Sequence, residues 1–249
     1  MIFFISDLHL APQAPSVTRI FLDFLNHRAR AAEHLFILGD LFEVWPGDDL
    51  IDERDDSDHS FNAEIVAALR ACSDTGTALS LLHGNRDFLL GETFAARCGA
   101  RLLPDPYVLS LPTWQFVLSH GDALCTDDTD YQKFRQQVRD PAWRNAFLAK
   151  PLTERKAIAA VLRQQSENAK REKSAHALFQ MDLNPSATDD FLRDHGYATF
   201  IHGHTHRPAV HDHIVDGIHV ERWVMADWQA KSGECLCWDG QQLTREVLL

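Results

Sequence analysis

Met1-Ile-Phe-Phe-Ile-Ser-Asp7-Leu-His9 opens the chain with an apolar run that leads straight into a carboxylate and an imidazole. A continuous apolar run of this length suits a strand buried on both faces, and the loop after such a strand is where functional groups collect. The pattern recurs four times. Leu35 to Leu38 meets Gly39-Asp40, and Ala78 to Leu82 leads to Gly84-Asn85-Arg86-Asp87. Phe116 to Ser119 meets His120-Gly121-Asp122, and Thr199 to Ile201 meets His202-Gly-His-Thr-His206. Strands that each end in a polar cluster predict an α/β fold whose side chains gather at one sheet edge. Val17 to Arg30 and Asn62 to Ala71 space their apolar residues as helices do. After His206-Arg207-Pro208 the pattern becomes β-rich, with Ile218 to Met225, Glu234 to Trp238 and Leu243 to Leu249 broken by turn residues such as Asp239-Gly240. These strands predict a second sheet packed on the first.

With 249 residues the chain is long enough to bury a full core. The spread of strands favours a single domain over residues 1–249 with an insertion inside it. A net charge of -12 argues against nucleic acid as a partner, and no protein partner is evident. The five cysteines are scattered without a second pair to complete a zinc site, so Cys235 and Cys237 read as buried packing and the compartment as a reducing cytoplasm. The N-terminal run reaches an acid too soon and lacks the basic start of a signal peptide. No stretch approaches the roughly 20 apolar residues of a spanning helix, which leaves a soluble or peripheral protein.

A single Asp or His after a strand is ordinarily a cap or a loop residue, so the joint order carries the argument. Asp7 and His9 lie two apart, which on an extended segment puts both on one side, within reach of one ion. His204 and His206 repeat that spacing. Asn85 offers a neutral oxygen that binds a cation without adding negative charge. Imidazoles suit Mn, Fe, Co, Ni or Zn better than Mg or Ca. The set has the composition of a two-metal centre for phosphoester cleavage.

In order, and over nearly the whole chain, Asp7-Leu-His9, Gly39-Asp40, Gly84-Asn85-Arg86-Asp87, His120 and Gly203-His204-Thr205-His206 resemble the calcineurin-like metallophosphoesterases. That resemblance implies two packed mixed sheets flanked by helices, in αββα order, and two divalent ions, Mn by family habit. Asp40 would bridge the ions, with Asp7, His9 and His206 at one and Asn85, His120 and His204 at the other. The longer segments Leu38 to Asp49, His83 to Leu90, His120 to Asp128 and Ile201 to Pro208 are similar to the UDP-2,3-diacylglucosamine diphosphatase branch of the family. This branch implies hydrolysis of UDP-2,3-diacylglucosamine at the α-phosphorus by a hydroxide shared between the ions. The products would be UMP and 2,3-diacylglucosamine 1-phosphate for lipid A synthesis, made by a peripheral protein on the cytoplasmic face of the inner membrane. Asp40, Asn85, Arg86, His120 and His204 would be the catalytic group. Arg86 stands where many relatives of the wider family have histidine. Arginine stays charged and offers a fork to phosphate, which suits a leaving group that is itself a phosphate and needs little protonation.

Residues 126–180 are longer than a crossover requires and predict a helical cap broken at Pro151. Trp143, Phe147, Leu148, Ile158, Val161, Leu162, Leu178 and Phe179 have helix-compatible spacing, and basic residues outnumber acidic ones. Apolar surface combined with positive charge suits an anionic lipid or membrane surface, although each feature alone is ordinary for a docked, solvated helix. By resemblance, Asp128, Ser166, Lys170 and Lys173 would join Asn85, Arg86 and His204 in binding substrate. His202 is expected behind the ligands and Asp122 beside one of them as its orienter. His211, His213 and His219 are expected to be structural. Two other readings share much of this pattern: a different metallophosphoesterase, such as a nuclease, cyclic-nucleotide phosphodiesterase or protein phosphatase, and a non-catalytic interaction platform.

Overall fold

The computed structural model describes the backbone of residues 1–172 and 182–249, and side chains outside 165–181. Its first sheet contains four parallel strands, β1 (Ile2–Ile5), β2 (His34–Ile37), β3 (Ala78–Leu81) and β4 (Ala100–Leu102). A C-terminal hairpin of β10 (Gly233–Trp238) and β11 (Leu243–Leu248) extends that sheet antiparallel to β1, giving the order β11-β10-β1-β2-β3-β4. The second sheet has the order β5-β6-β7-β9-β8, from β5 (Tyr107–Ser110), β6 (Gln115–Ser119), β7 (Thr199–His202), β8 (Ala209–Val215) and β9 (Ile218–Val224). Helices α1 (Pro15–His27), α2 (His59–Asp74) and α3 (Glu92–Cys98) belong with the first sheet, and α7 (Pro185–Asp194) with the second. Between β6 and α7 run α4 (Thr129–Arg139), α5 (Pro141–Leu148) and α6 (Leu152–Glu172). Pro151 separates the last two, as its missing N–H requires.

The apolar runs are continuous because alternate side chains serve different cores. Phe3 and Ile5 of β1 pack toward the helices with Leu35, Ile37, Leu79 and Leu81. Ile2 and Phe4 pack between the sheets with Phe36, Phe116, Leu118 and Ile201. On the far side, Val117 and Phe200 pack with Leu192 of α7. Full burial of one such side chain contributes about 1.5–3 kcal/mol, so the αββα layers rest on three contiguous cores. Helix α1 shows the complementary pattern: Val17, Ile20, Phe21, Phe24 and Leu25 are buried at helical spacing.

Two expectations need correction. The C-terminal strands do not make the second sheet alone; β10 and β11 complete the first. Cys235 and Cys237 face the helices while Leu236 and Trp238 face the inter-sheet core, so β10 needs apolar cover on both sides and finds it beside β1. The polar clusters also do not lie along one sheet edge. They follow β1, β2 and β3 of one sheet and β6 and β7 of the other, and the loops converge across the sandwich.

Candidate metal centre

Asp40, after β2, stands at the middle of the gathered groups. Its Oδ2 lies 3.9 Å from His9 Nε2 on one side and 3.7 Å from His120 Nε2 on the other. On the first side, Asp7 Oδ1 is 3.2 Å from His206 Nε2 and 3.9 Å from His9 Nε2, and the two imidazoles approach to 3.3 Å. On the second, Asn85 Oδ1 faces both His120 Nε2 at 2.9 Å and His204 Nδ1 at 2.8 Å. All seven side chains therefore meet in two lobes that share Asp40. Asp7, Asp40 and His120 are fully or almost fully buried.

The local backbone differs from the extended form expected of Asp-x-His. Asp7, His9, Asp40, His204 and His206 all have positive φ, from 50° to 66°. Left-handed backbone, and not strand alternation, turns Asp7 and His9 together; it also sends His204 and His206 to different lobes. Glycines beside them allow the loops to close. A Cβ on Gly84 would overlap the Asp40 carboxylate and backbone nitrogen, and one on Gly203 would overlap the Asp7 carboxylate.

The donor set fits divalent ions. His120 gives its Nδ1 proton to the Leu38 carbonyl at 3.0 Å, which turns its Nε2 toward the Asn85 oxygen and the Asp40 carboxylate. Carboxylate, amide and imidazole atoms gathered this closely can close around a divalent cation. His120 itself reports this field: burial opposes its protonation, yet Asp40, Asp7 and Asp122 raise its pKa to about 9. Burial and the nearby His120 charge instead lower His204 to about 3, leaving a neutral imidazole. For Asp7, burial favours the neutral acid, but the His206 hydrogen bond and the His120, His206 and His9 charges hold the carboxyl well below its ordinary value. Two carboxylates, an amide oxygen and four imidazoles match a borderline divalent ion.

Two groups to which the sequence assigned no role, Asp87 and Glu43, hold this set. Asp87 is fully buried and accepts from the backbone N–H groups of Leu41 at 2.7 Å, Gly84 at 2.9 Å, Asp40 at 3.3 Å and Phe42 at 3.4 Å, which joins the Asp40 and Asn85 loops. Glu43 lies 3.1 Å from His9 Nδ1 and 3.3 Å from Arg86 Nη1, and also meets Arg163 of α6. The approach to His9 has poor hydrogen-bond direction, so that pairing is electrostatic. An acid three residues beyond Asp40 was the available signal, but its partners are 34, 43 and 120 positions away.

Asp122 is not placed as an orienter of a ligand histidine. Its Oδ2 accepts from Tyr131 Oη at 2.6 Å and Arg135 Nε at 2.8 Å, while His120 turns its Nδ1 to Leu38. His202 is buried behind the loop: its Nδ1 donates to the Gly203 carbonyl at 2.8 Å and its Nε2 accepts from Arg222 at 3.1 Å. Burial and the Arg222 charge lower it to about 3. His213 pairs with Asp189 and Arg222, and His219 with Asp212, away from the lobes. Asp128 caps α4 by accepting from the Tyr131 N–H at 3.3 Å. Ser166 and Lys170 fall on α6 where side chains are outside the described residues, as are Lys173, Leu178 and Phe179 entirely.

The family model for calcineurin-like phosphoesterases matches residues 1–208, which include all seven converging side chains. The chain belongs to this family. Among its phosphoesterase relatives, a UDP-2,3-diacylglucosamine hydrolase of Aromatoleum aromaticum is 52% identical over 237 residues, covering 95% of this chain and 92% of that protein. Proteins of the same name from Chromohalobacter salexigens and Aeromonas hydrophila are 47% and 45% identical, over 92% and 96% of this chain and 89% and 95% of theirs. Among solved structures, the phosphoesterase Yfce from E. coli is similar with a TM-score of 0.42 and 14% identity, covering 100% of this chain and 99% of that one.

Proposed function

We propose that this phosphoesterase hydrolyses the pyrophosphate bond of UDP-2,3-diacylglucosamine, releasing UMP and 2,3-diacylglucosamine 1-phosphate for lipid A synthesis. The observation that carries the reading is the 52% identity, over 95% of the chain, to a UDP-2,3-diacylglucosamine hydrolase. The gathered ligand set supports it, because a scaffold without catalysis has no use for two carboxylates, an amide oxygen and four imidazoles converging in two lobes.

Asp7, His9, Asp40 and His206 would hold one divalent ion and Asp40, Asn85, His120 and His204 the other, with Mn the expected metal. When bound, such ions acidify water and stabilise charge developing on phosphate oxygens. The chain's own groups do the positioning. Arg86 presents a guanidinium beside the lobes and would grip the diphosphate, with Asn85 and His204 beside it. Leu38 fixes the His120 tautomer through Nδ1. Asp87 holds the Asp40 and Asn85 loops in register. Attack falls on the α-phosphorus in this reading, and the phosphosugar leaves as an anion that needs no general acid.

Within a single domain, residues 126–180 would form the cap, with Asp128, Ser166, Lys170 and Lys173 contacting nucleotide and sugar. Trp143, Phe147 and Ile158 pack against the helix-side core, while Leu148 and Val161 are exposed. No described helix is long and apolar enough to cross a membrane. A two-chain lipid substrate resides in a bilayer, so the protein would work as a peripheral enzyme at the cytoplasmic face of the inner membrane.

The test is release of UMP from UDP-2,3-diacylglucosamine by metal-stripped protein, with and without Mn. Metal-dependent release of UMP together with the lipid phosphate is expected. Hydrolysis of a generic phosphodiester with no action on this lipid would overturn the substrate assignment.

A further inference from the structure

Helix α4 is a polar helix in an unusual place. Of its described side chains only Val138 is buried, so little apolar area fixes it to the body. Its inner face instead uses hydrogen bonds to the loops that carry one lobe of the metal centre. Tyr131 Oη and Arg135 Nε share Asp122 Oδ2 at 2.6 and 2.8 Å, two residues beyond His120. Gln132 Nε2 donates to the Asp122 and Cys125 carbonyls at 2.8 and 3.1 Å. Arg139 Nη2 donates to the Gly84 carbonyl at 2.9 Å, immediately before Asn85, and lies 3.9 Å from Asp122. The Tyr131 ring stacks on His204 with centroids 5.8 Å apart and planes 29° from parallel.

Of the ligand side chains these contacts reach His204 directly, and otherwise the loops that carry Asn85 and His120, at Gly84, Asp122 and Cys125; none of them touches Asp7, His9 or His206. Asp122 is fully buried, and its Oδ1 has no hydrogen-bond partner. A carboxylate in that position costs several kcal/mol unless cations face it, and α4 supplies both guanidiniums. A helix serving only as lid material could dock through apolar contact on any nearby surface. This one is pinned to the three loops, after β3, β6 and β7, that carry the members of one lobe.

We propose that α4 is a clamp for the Asn85–His120–His204 lobe, with Tyr131, Arg135 and Arg139 as positioning residues that set the affinity of one metal ion and not the other. The inference rests on the metal reading above but not on the identity of the substrate. Outer partners of metal ligands typically alter metal affinity by about 10–100-fold. The experiment is calorimetric titration of Mn into metal-stripped full-length protein, in the wild type and in Tyr131→Phe, Arg139→Met and Arg139→Lys. Wild type should take up two ions. Tyr131→Phe keeps the ring stack and loses one hydrogen bond, while Arg139→Met loses both the Gly84 bond and the charge facing Asp122. Each should weaken one Mn site by about tenfold or more and leave the other within about twofold, with Arg139→Lys restoring part of the loss.

General loosening of the fold would weaken both sites together, so that result overturns the clamp. Two unchanged sites in both Tyr131→Phe and Arg139→Met overturn it as well. If Arg139→Met does not fold, Tyr131→Phe decides alone. Wild-type protein that binds no Mn would sink the metal reading, and the clamp with it. Two Mn sites with selective weakening, together with no hydrolysis of the nucleotide-sugar lipid, would uphold the clamp while rejecting the substrate.

Discussion

Replacement of Asp87 by asparagine isolates the framework from the chemistry, because Asp87 touches backbone and lies behind the ligands. Its Oδ1 accepts from Asp40 and Gly84 N–H at 3.3 and 2.9 Å, and its Oδ2 from Leu41 and Phe42 N–H at 2.7 and 3.4 Å. In Asp87→Asn one of these oxygens becomes an NH2 group. Whichever side it takes, two backbone N–H groups then face a donor in a fully buried site. A hydrogen bond to a charged group contributes about 1.5–3 kcal/mol, and one short and one long bond are lost. Removal of the buried charge offsets part of this: burial, and then Asp40, raise the Asp87 carboxyl above its ordinary pKa. The net cost is about 2–4 kcal/mol. In a domain of this size 1 kcal/mol moves the melting point by about 2–4 °C, so a fall of about 10 °C is expected. Scanning calorimetry on metal-stripped protein measures it without a metal contribution. A melting point within about 2 °C of wild type would refute the argument that Asp87 is the tie between the Asp40 and Asn85 loops.

Asp40 has φ 53°, so Asp40→Gly and Asp40→Ala should both lose turnover, yet the glycine variant should be more stable by about 1 kcal/mol. Urea unfolding of the two metal-free variants decides this, and an alanine variant as stable as the glycine one contradicts the strain. Glu43→Gln removes the charge beside His9 Nδ1 and Arg86. It should weaken the Mn site holding His9 by about tenfold, the converse of the Arg139→Met result, and equal loss at both sites would count against it.

The strands that carry ligands were legible because each is covered on both faces, so their apolar runs have no gaps. Sheet membership was not: whether β10 pairs with β1 or with β9 depends on partners more than 200 residues apart, and local pattern holds no information about that. The short strands β4 and β5 escaped notice for the opposite reason, since Ala100–Leu102 and Tyr107–Ser110 are only partly buried and lack a continuous run. Residue types at the candidate site were readable from their order; their directions were not. Strand alternation would put His204 and His206 on the same side, whereas φ of 66° and 55° sends one to Asn85 and the other to Asp7. Tyr131, Arg135 and Arg139 look like an ordinary solvated helix face, and only the placement of Asp122 and Gly84 beneath them gives them a task.

Among the described residues seven non-glycines have positive φ, and five of them are members of the converging set. Left-handed backbone costs about 1–2 kcal/mol at each such position, so these loops do not adopt it by default. The structure holds them through bonds between loops. Asp7 N–H donates to the Gly39 carbonyl at 3.2 Å and His9 N–H to the Asp40 carbonyl at 3.0 Å, which ties the loop after β1 to the loop after β2. Arg86 N–H donates to Asp40 Oδ1 at 2.8 Å, His204 N–H to Asp7 Oδ2 at 3.0 Å, and Gly203 N–H to the His120 carbonyl at 3.1 Å. Asp7, His9, Asp40 and His204 are thus each held by a bond to another loop, and His206 by its side-chain bond to Asp7, and every loop is anchored at the end of a strand in one of two sheets with apolar cores. The loop-to-loop bonds and the rigid sandwich beneath them hold the seven side chains together. A site positioned by loop-to-loop bonds between strands of two packed sheets is built differently from a small domain that folds around its ion.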